Sequence, residues 1–508
     1  MAGCPLSPNS TGSDSQAIDD ASPQGIWSGY FLPITVANLT MVAIAAFDGL
    51  GVVVALPSIA KDLGQIALLP WVITTYLGAS SIAVIVSGPI VDAVGLRRTF
   101  RFASVWFLFS TVVVTVAPTM RLLLVARALQ GIGGGVVIAV VLAGIGLTYP
   151  HKLRPKAFAA NSAVWGLMGF GGPAVAGLLL TFAGWRFIYA AQIPLTLLAI
   201  AVGWKRVPTT RERPRRIAID VVGLGWLSVI AFGSLISMGQ LVTRPVVAAV
   251  GTLLIAVAGW AYWRHSRGRK EPILDLRHIT RHPLGMIHTA VALIFAAGLA
   301  ADNFLPLYLQ ISRGYSPASA AFAVIFLAMG WTLAAQIFAR VLPGWPEANV
   351  MRLGATISIP ALTGAAVSIG YEVPLPITFI AYFFIGLSIG FISTSGITLL
   401  QNSIELEEMG RASSAHQFVR SIGITYGVGM GGAVLLVVVG AQLGDVEVIR
   451  NVLDGQAVGV EAKAAGAAVR DGLVAVIAAS VLLAGGSLIA TLRLGRAAKS
   501  PNKQAINT

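Results

Sequence analysis

Charge is scarce in this sequence. Of its 508 residues, 11% are Asp, Glu, Lys or Arg, against 56% that are hydrophobic. Soluble domains carry about 25% charged residues, so a soluble globular chain is excluded and a polytopic membrane protein is indicated. Acidic residues are the scarcer sign, 21 against 35 basic, for a formal net charge of +14. Cysteine is nearly absent. The single Cys4 excludes a disulfide within the chain and a thiolate metal site, and it lacks the preceding apolar stretch of a lipoprotein signal. Residues 1 to 25 contain no Lys or Arg and are rich in Ser, Pro, Gly and Asp; they read as a short disordered tail, not a signal peptide. Also missing are a phosphate-binding glycine loop ending in Lys-Ser/Thr, a His-Glu-x-x-His pair and a nucleophile elbow. ATP hydrolysis within the chain is excluded, and with no catalytic constellation the expectation is a protein that is not an enzyme and needs neither cofactor nor metal.

What the sequence has in quantity is apolar length. Runs of about 20 residues cross about 30 Å of hydrocarbon, and fourteen can be placed. They lie at 34–58, 69–91, 101–117, 119–143, 158–182, 186–204, 219–241, 245–263, 284–311, 317–339, 351–370, 374–399, 412–440 and 472–492. With the N-terminus inside, most of the 35 basic residues fall in inner loops and the C-terminal tail: Arg97, Arg98, Arg101, Lys152, Arg154, Lys156, 205–216, 264–281 and 493–503. An even number of spans with both termini cytoplasmic satisfies the positive-inside rule. The excess positive charge then needs no nucleic acid; anionic lipid headgroups are its natural neighbours.

Two basic, proline-containing loops bracket a lone helical hairpin at 219–263, leaving six spans before and six after. The expected fold is an all-α membrane protein of two six-helix bundles, 34–204 and 284–492. Between them lie basic linkers and the hairpin (205–283), flanked by tails at 1–33 and 493–508. The outer loop from Gln442 to Asp471 is the longest on its side and suggests no function.

Several motifs follow the same frame. Residues 166–177 put Gly169, Gly172, Pro173 and Gly177 within an apolar run, a small-residue face that lets helices approach while the proline lets one bend. Ordinary close packing is the alternative reading. After the second span, Gly88, Asp92, Gly95, Arg97 and Arg98 stand where a helix end meets the inner face. An aspartate, a tight glycine turn and two arginines there can build a latch between helix ends. Helix 1 carries Phe47-Asp48-Gly and Ala55-Leu56-Pro57, and helix 2 opens Trp71 to Tyr76. Helix 4 carries Arg127-Ala-Leu-Gln130-Gly131; farther on come Trp185-Arg186-Phe187, Ile193-Pro194 with Gln192 before it, and Leu305-Pro-Leu-Tyr-Leu-Gln310.

Together these resemble the fourteen-helix drug:proton antiporter family of the major facilitator superfamily, over about 34–440. Three departures stand out. Ala93 replaces the usual basic residue after the signature aspartate, Leu96 follows the second glycine, and the second-half copy at Arg340–Arg352 lacks its aspartate. The resemblance implies a proton-coupled antiporter that exports drugs, antibiotics or dyes by alternating access, driven by the proton gradient. It also implies a multi-pass protein of the bacterial inner membrane, acting as a monomer with small-molecule substrate, protons and lipids as its partners. A dedicated exporter of one endogenous metabolite or lipid is the competing reading; a symporter, a uniporter or a non-transporting scaffold fits less well.

Charged groups inside spans are functional candidates by default. Counting about 1.5 Å per residue from the outer helix ends puts Asp48, Arg127 and Asp302 near the midplane. Asp48 or Asp302 is the candidate proton carrier, with Asp48 suited to conformational control and Asp302 to cation or substrate recognition. A permanent Asp48–Arg127 ion pair is the alternative. Trp71, Tyr76, Gln130, Trp165 and Tyr308 are candidates for lining an apolar pocket. His288 and His416 read as solvated or capping groups near inner helix ends, and Glu405, Glu407 and Glu408 as a solvated face. Gly423, Gly427 and Gly431, spaced by four, form a second small face, expected to pack across the bundle interface, with packing inside its own bundle as the alternative reading.

Overall fold

Each apolar run forms a helix because lipid offers no partner for backbone N–H and C=O groups, which must pair within the segment. The computed structural model describes residues 25–65, 68–211, 220–240, 244–269, 271–444 and 460–494. Helices α1 to α6 span Leu32–Leu63, Leu69–Val94, Leu96–Thr115, Met120–Thr148, Arg154–Ala183 and Trp185–Arg206, the last interrupted at Ala191. The hairpin is α7 (Val221–Gly239) and α8 (Pro245–Arg267). Then come α9 (Leu284–Ile311), α10 in two pieces (Pro317–Phe322 and Val324–Arg340), α11 (Glu347–Gly370), α12 (Leu375–Asn402), α13 (Met409–Leu443) and α14 (Val460–Arg493).

Sequence punctuation sets several of these limits. Proline occupies the first turn of α1, α5 and α8, where a missing N–H does no harm. Gly64, Gly95, Gly184 and Gly444 end α1, α2, α5 and α13 with positive φ. Asp220 caps α7 by accepting from the Gly223 N–H (3.0 Å), and its carboxylate also lies 2.7 Å from His265 Nε2 on α8.

Among the described residues, eleven helices are long and apolar enough to cross a membrane, or twelve with α5 counted as one bent span. The arginine-rich α3 is not among them, and the Val324–Arg340 piece of α10 is too short. α14 begins twelve residues before the expected run at 472, so much of the expected outer loop is helix; 445–459 lie outside the described residues. The expected loose N-terminal tail is also shorter than 33 residues. Ile26, Ser28 and Phe31 are buried, Thr35 Oγ1 donates to the Ile26 carbonyl at 2.8 Å, and Phe31 stacks on Tyr149. Residues 1–24 lie outside the described residues.

α1 packs on α5 and α6, α2 on α4, and α3 on α4 and α6. In the second half α9 packs on α12, α13 and α14, α10 on α12, and α11 on α12 and α14. The halves meet along α2 with α13 and α5 with α10. α7 lies over the first of these seams, where Leu227 and Ala231 join Ile85, Ala415 and Phe418 in one apolar cluster.

The Gly423, Gly427, Gly431 face does not cross this interface. It packs inside the second half on Ala292, Ala296 and Ala300 of α9, and a Cβ on Gly427 would stand 2.3 Å from Ala296 Cα. Without a hydrophobic drive between helices in lipid, such backbone proximity is itself the packing force.

Candidate functional site

Midway along α1 and about two turns into α4, Asp48 and Arg127 meet in a fully buried ion pair, 0% and 1% exposed. Arg127 Nη1 donates to both Asp48 oxygens at 2.9 Å and to Gln130 Oε1 at 2.6 Å, and Nε donates to the Val72 carbonyl at 3.2 Å. Gln192 Nε2 donates to Asp48 Oδ1 at 3.2 Å, Gln130 Nε2 to Thr111 Oγ1 at 3.1 Å, and the guanidinium lies 4.3 Å over the Tyr76 ring. Two desolvated charges are tolerable only when hydrogen bonds satisfy them this fully. Asp48, Arg127, Tyr76 and Gln130 thus form one network inside the first half; none of them lines the central cavity. Trp185 Nε1 (3.0 Å) and Arg186 both bond Asp62 Oδ2, tying the start of α6 to the end of α1.

At the end where α2 stops, Asp92 reaches across the seam. Its Oδ1 accepts from the Gly410 N–H at 2.7 Å and Oδ2 from the Arg411 N–H at 3.0 Å, so a carboxylate caps the N-terminus of α13. The approach needs glycine on both helices: a Cβ on Gly88 would lie 2.8 Å from the Gly410 carbonyl, and one on Gly410 would lie 2.5 Å from Asp92 Oδ1. Gly95 makes the α2–α3 turn at φ 87°.

Arg97 and Arg98, expected in the latch, bond elsewhere. Arg97 Nε donates to the Val207 carbonyl and Arg98 Nη1 to the Val94 carbonyl, both within the first half. Backbone amides of α13 hold the Asp92 carboxylate across the seam. Other bonds join the halves at this end: Arg154 Nη1 to the Gln401 carbonyl (3.1 Å) and Asn402 Oδ1 (2.9 Å), Gln401 Nε2 to the Leu142 carbonyl (2.8 Å), and Gln336 Nε2 to the Ala159 carbonyl (2.9 Å). A linker braces the same corner, with His278 Nε2 3.1 Å from Glu408 and Arg411 3.5 Å from Glu271. In that linker burial pushes the Asp275 carboxyl up, but hydrogen bonds from Arg277 outweigh it and hold it below its ordinary value. Its pairing is therefore present at neutral pH and lost only as pH falls through that lowered value.

Above this seal lies a cavity of about 370 Å³ between the halves. α1, α4 and α5 line one side and α9, α10, α12 and α13 the other. Its walls are apolar and aromatic, including Trp165, Phe295 and Trp331, with Asn161, His416, Gln417 and Arg420 as polar groups. Of the five expected lining residues only Trp165 is there. Trp71 is 44% exposed at the start of α2, Tyr76 and Gln130 belong to the Arg127 network, and Tyr308 is buried near Arg313. Gly169 lines the cavity as well.

α5 bends by 41° between Arg154–Gly169 and Gly171–Ala183. Pro173 explains the position, because it cannot donate to the Gly169 carbonyl four residues back and its ring crowds that oxygen. Gly172 is buried, whereas a Cβ on Gly177 would meet nothing within 4 Å, so the small face is not a continuous contact.

Asp302 is buried on α9, 7% exposed, with Oδ1 lacking a hydrogen-bond partner and no ion pair among the described residues. It does not line the cavity, which leaves substrate recognition there to other groups. His288 and His416 are buried, not solvated, with rings 5.3 Å apart, and His288 Nδ1 lies 2.8 Å from the Leu284 carbonyl. Arg420 was recognisable only as a basic residue within a span; what singles it out is that it faces the cavity.

Two helical halves around a central cavity, with buried charges off its wall and a seal at one end, define a multi-pass membrane transporter. The chain belongs to the Major Facilitator Superfamily, whose family profile matches residues 38–428. It is 26% identical over 406 residues to the multidrug transporter protein MdtP of Bacillus subtilis, covering 77% of this chain and 73% of that one. It is 27% identical over 421 residues to a probable actinorhodin transporter of Streptomyces coelicolor (78% and 71% covered). It is 25% identical over 430 residues to the tetracenomycin C resistance and export protein of Streptomyces glaucescens (82% and 77%). Among solved structures, a bacterial homologue of the iron transporter ferroportin in an outward-facing state superposes with TM-score 0.62 at 9% identity, covering 91% of this chain and 98% of that one. The human organic anion transporter MFSD10 does so with TM-score 0.61 at 12% identity and the same coverage. These structures speak for the fold.

Proposed function

We propose that this protein is a proton-coupled antiporter of the bacterial inner membrane that exports small amphipathic compounds by alternating access. The observation that carries the reading is the aromatic cavity between two halves that Asp92, Arg154 and Gln336 join at one end. That end bears the basic loops, so the positive-inside rule makes it cytoplasmic, with both termini on that side. The latched arrangement then corresponds to a cavity closed toward the cytoplasm, and release of Asp92 from α13 accompanies opening to it.

In this scheme Asp302 carries the exchanged proton. A carboxylate buried without a counter-ion is cheaper to hold neutral than charged, so proton loss requires water to reach it and biases which side opens. The Asp48–Arg127 pair keeps the first half rigid through the cycle, and the α5 bend shapes the wall of the cavity. The relatives named as multidrug and antibiotic exporters support drug-type cargo. A dedicated exporter of one endogenous product is the second reading, favoured by the resemblance to the actinorhodin transporter.

Transport into proteoliposomes under an imposed pH gradient tests the proposal. Dye movement opposite to protons, abolished by a protonophore, is expected; movement indifferent to the gradient would remove antiport.

A further inference from the structure

Facing the central cavity, α13 presents His416, Gln417 and Arg420, three polar side chains within five residues. Arg420 makes no hydrogen bond or ion pair among the described residues; its guanidinium lies 5.3 Å from the Phe295 ring, and its Nε is without a partner. His416 Nδ1 and Gln417 Oε1 are likewise unpartnered, as is Asn161 Oδ1 on the opposite wall. No Asp or Glu is among the described residues lining the cavity. The two buried acids of the spans lie elsewhere, Asp48 already held by Arg127 and Asp302 off the cavity wall.

An arginine inside a membrane protein is expensive and is normally paired. The buried arginines among the described residues obey that rule: Arg127 has Asp48, and Arg154 has three carbonyls and Asn402. Arg420 therefore sets a positive charge on a cavity wall whose described residues supply no acid to pair with it. Guanidinium pairs best with a planar oxyanion, to which it can donate two parallel hydrogen bonds. Trp165, Trp331 and Phe295 on the walls of the same cavity offer flat apolar faces, and about 370 Å³ suits a small polycyclic molecule. A cationic compound would meet uncompensated repulsion in the same space.

We propose that the cargo is an aromatic amphiphile carrying an acidic group, a carboxylate or ionised phenol, recognised by Arg420 in the central cavity. This rests on the cavity being the cargo site of the exporter. Equilibrium binding to the purified protein needs no gradient, so it reads recognition separately from transport.

Fluorescein and rhodamine 123 share one ring skeleton and differ in the sign of charge, which makes them the matched probes. Fluorescence polarisation with the intact protein in detergent should give at least about tenfold tighter binding of fluorescein, a difference of about 1.4 kcal/mol. Arg420→Gln should lose at least about tenfold of the fluorescein affinity and none of the rhodamine affinity, while Arg420→Lys keeps part of it. An unchanged melting temperature in Arg420→Gln separates lost recognition from lost folding. Trp165→Ala, which removes ring contact but not charge, should weaken both dyes. Rhodamine binding as tight as fluorescein in the unaltered protein, or a smaller fluorescein loss in a folded Arg420→Gln, would overturn the proposal.

Discussion

Three acids along the same membrane protein have three different fates, set by what faces each of them. Asp48 is neutralised by a guanidinium and an amide, Asp92 by two backbone N–H groups at a helix start, and Asp302 by no charged group. Removing one member of a buried pair strands the other. Asp48→Asn should therefore lower stability by about 3–5 kcal/mol, seen as a large drop in the melting temperature of the detergent-solubilised protein. Asp302→Asn should do the reverse: the melting temperature holds while gradient-driven export falls by at least about tenfold, because a group that cannot lose a proton cannot couple. If Asp302→Asn exported at the normal rate with normal pH dependence, the proton would have to travel elsewhere. The candidates Asp48, Arg127 and Asp302 were legible because charge in an apolar run stands out. Arg420 was not among them, since what marks it is the wall it faces, and depth along a helix says nothing about that.

Elements were the most legible level, because backbone pairing in lipid leaves helices as the only choice for these runs. Their faces were less so. The glycines of α5 and α13 gave the same small-residue pattern, yet one helix bends beside the cavity while the other packs flat on α9. Gly427→Leu should consequently destabilise the second half, since its first side-chain carbon already collides with Ala296; expression and melting temperature would both fall. Pro173→Leu restores a donor for the Gly169 carbonyl and removes the cause of the bend. It should reduce the ratio of coupled transport to proton leak in vesicles with little effect on dye affinity. An unchanged ratio would reduce the bend to packing.

At the scale of the whole molecule, the polar bonds that join the described residues of the two halves lie mainly at the basic end. Alternating access requires these to break, so holding them shut should stop transport without unfolding the protein. With Cys4→Ser as background, Ala159→Cys and Gln336→Cys flank one of these bonds, and a short bifunctional crosslinker between them should abolish export reversibly. Undiminished export by the crosslinked protein would mean that this end does not open.

The sequence by itself determined that the chain is helical and where most of its helices run, because each follows from local hydropathy that a membrane sorts one segment at a time. It also determined which residues would be conspicuous. Only the tertiary structure decided their partners. Asp48 and Arg127 are 79 residues apart and Asp92 and Gly410 are 318 apart, distances over which no periodicity carries information. Whether a side chain finds a counter-charge, a backbone amide or a cavity wall depends on how each helix is rotated about its own axis, and that rotation is fixed by the close contacts of small residues on neighbouring helices.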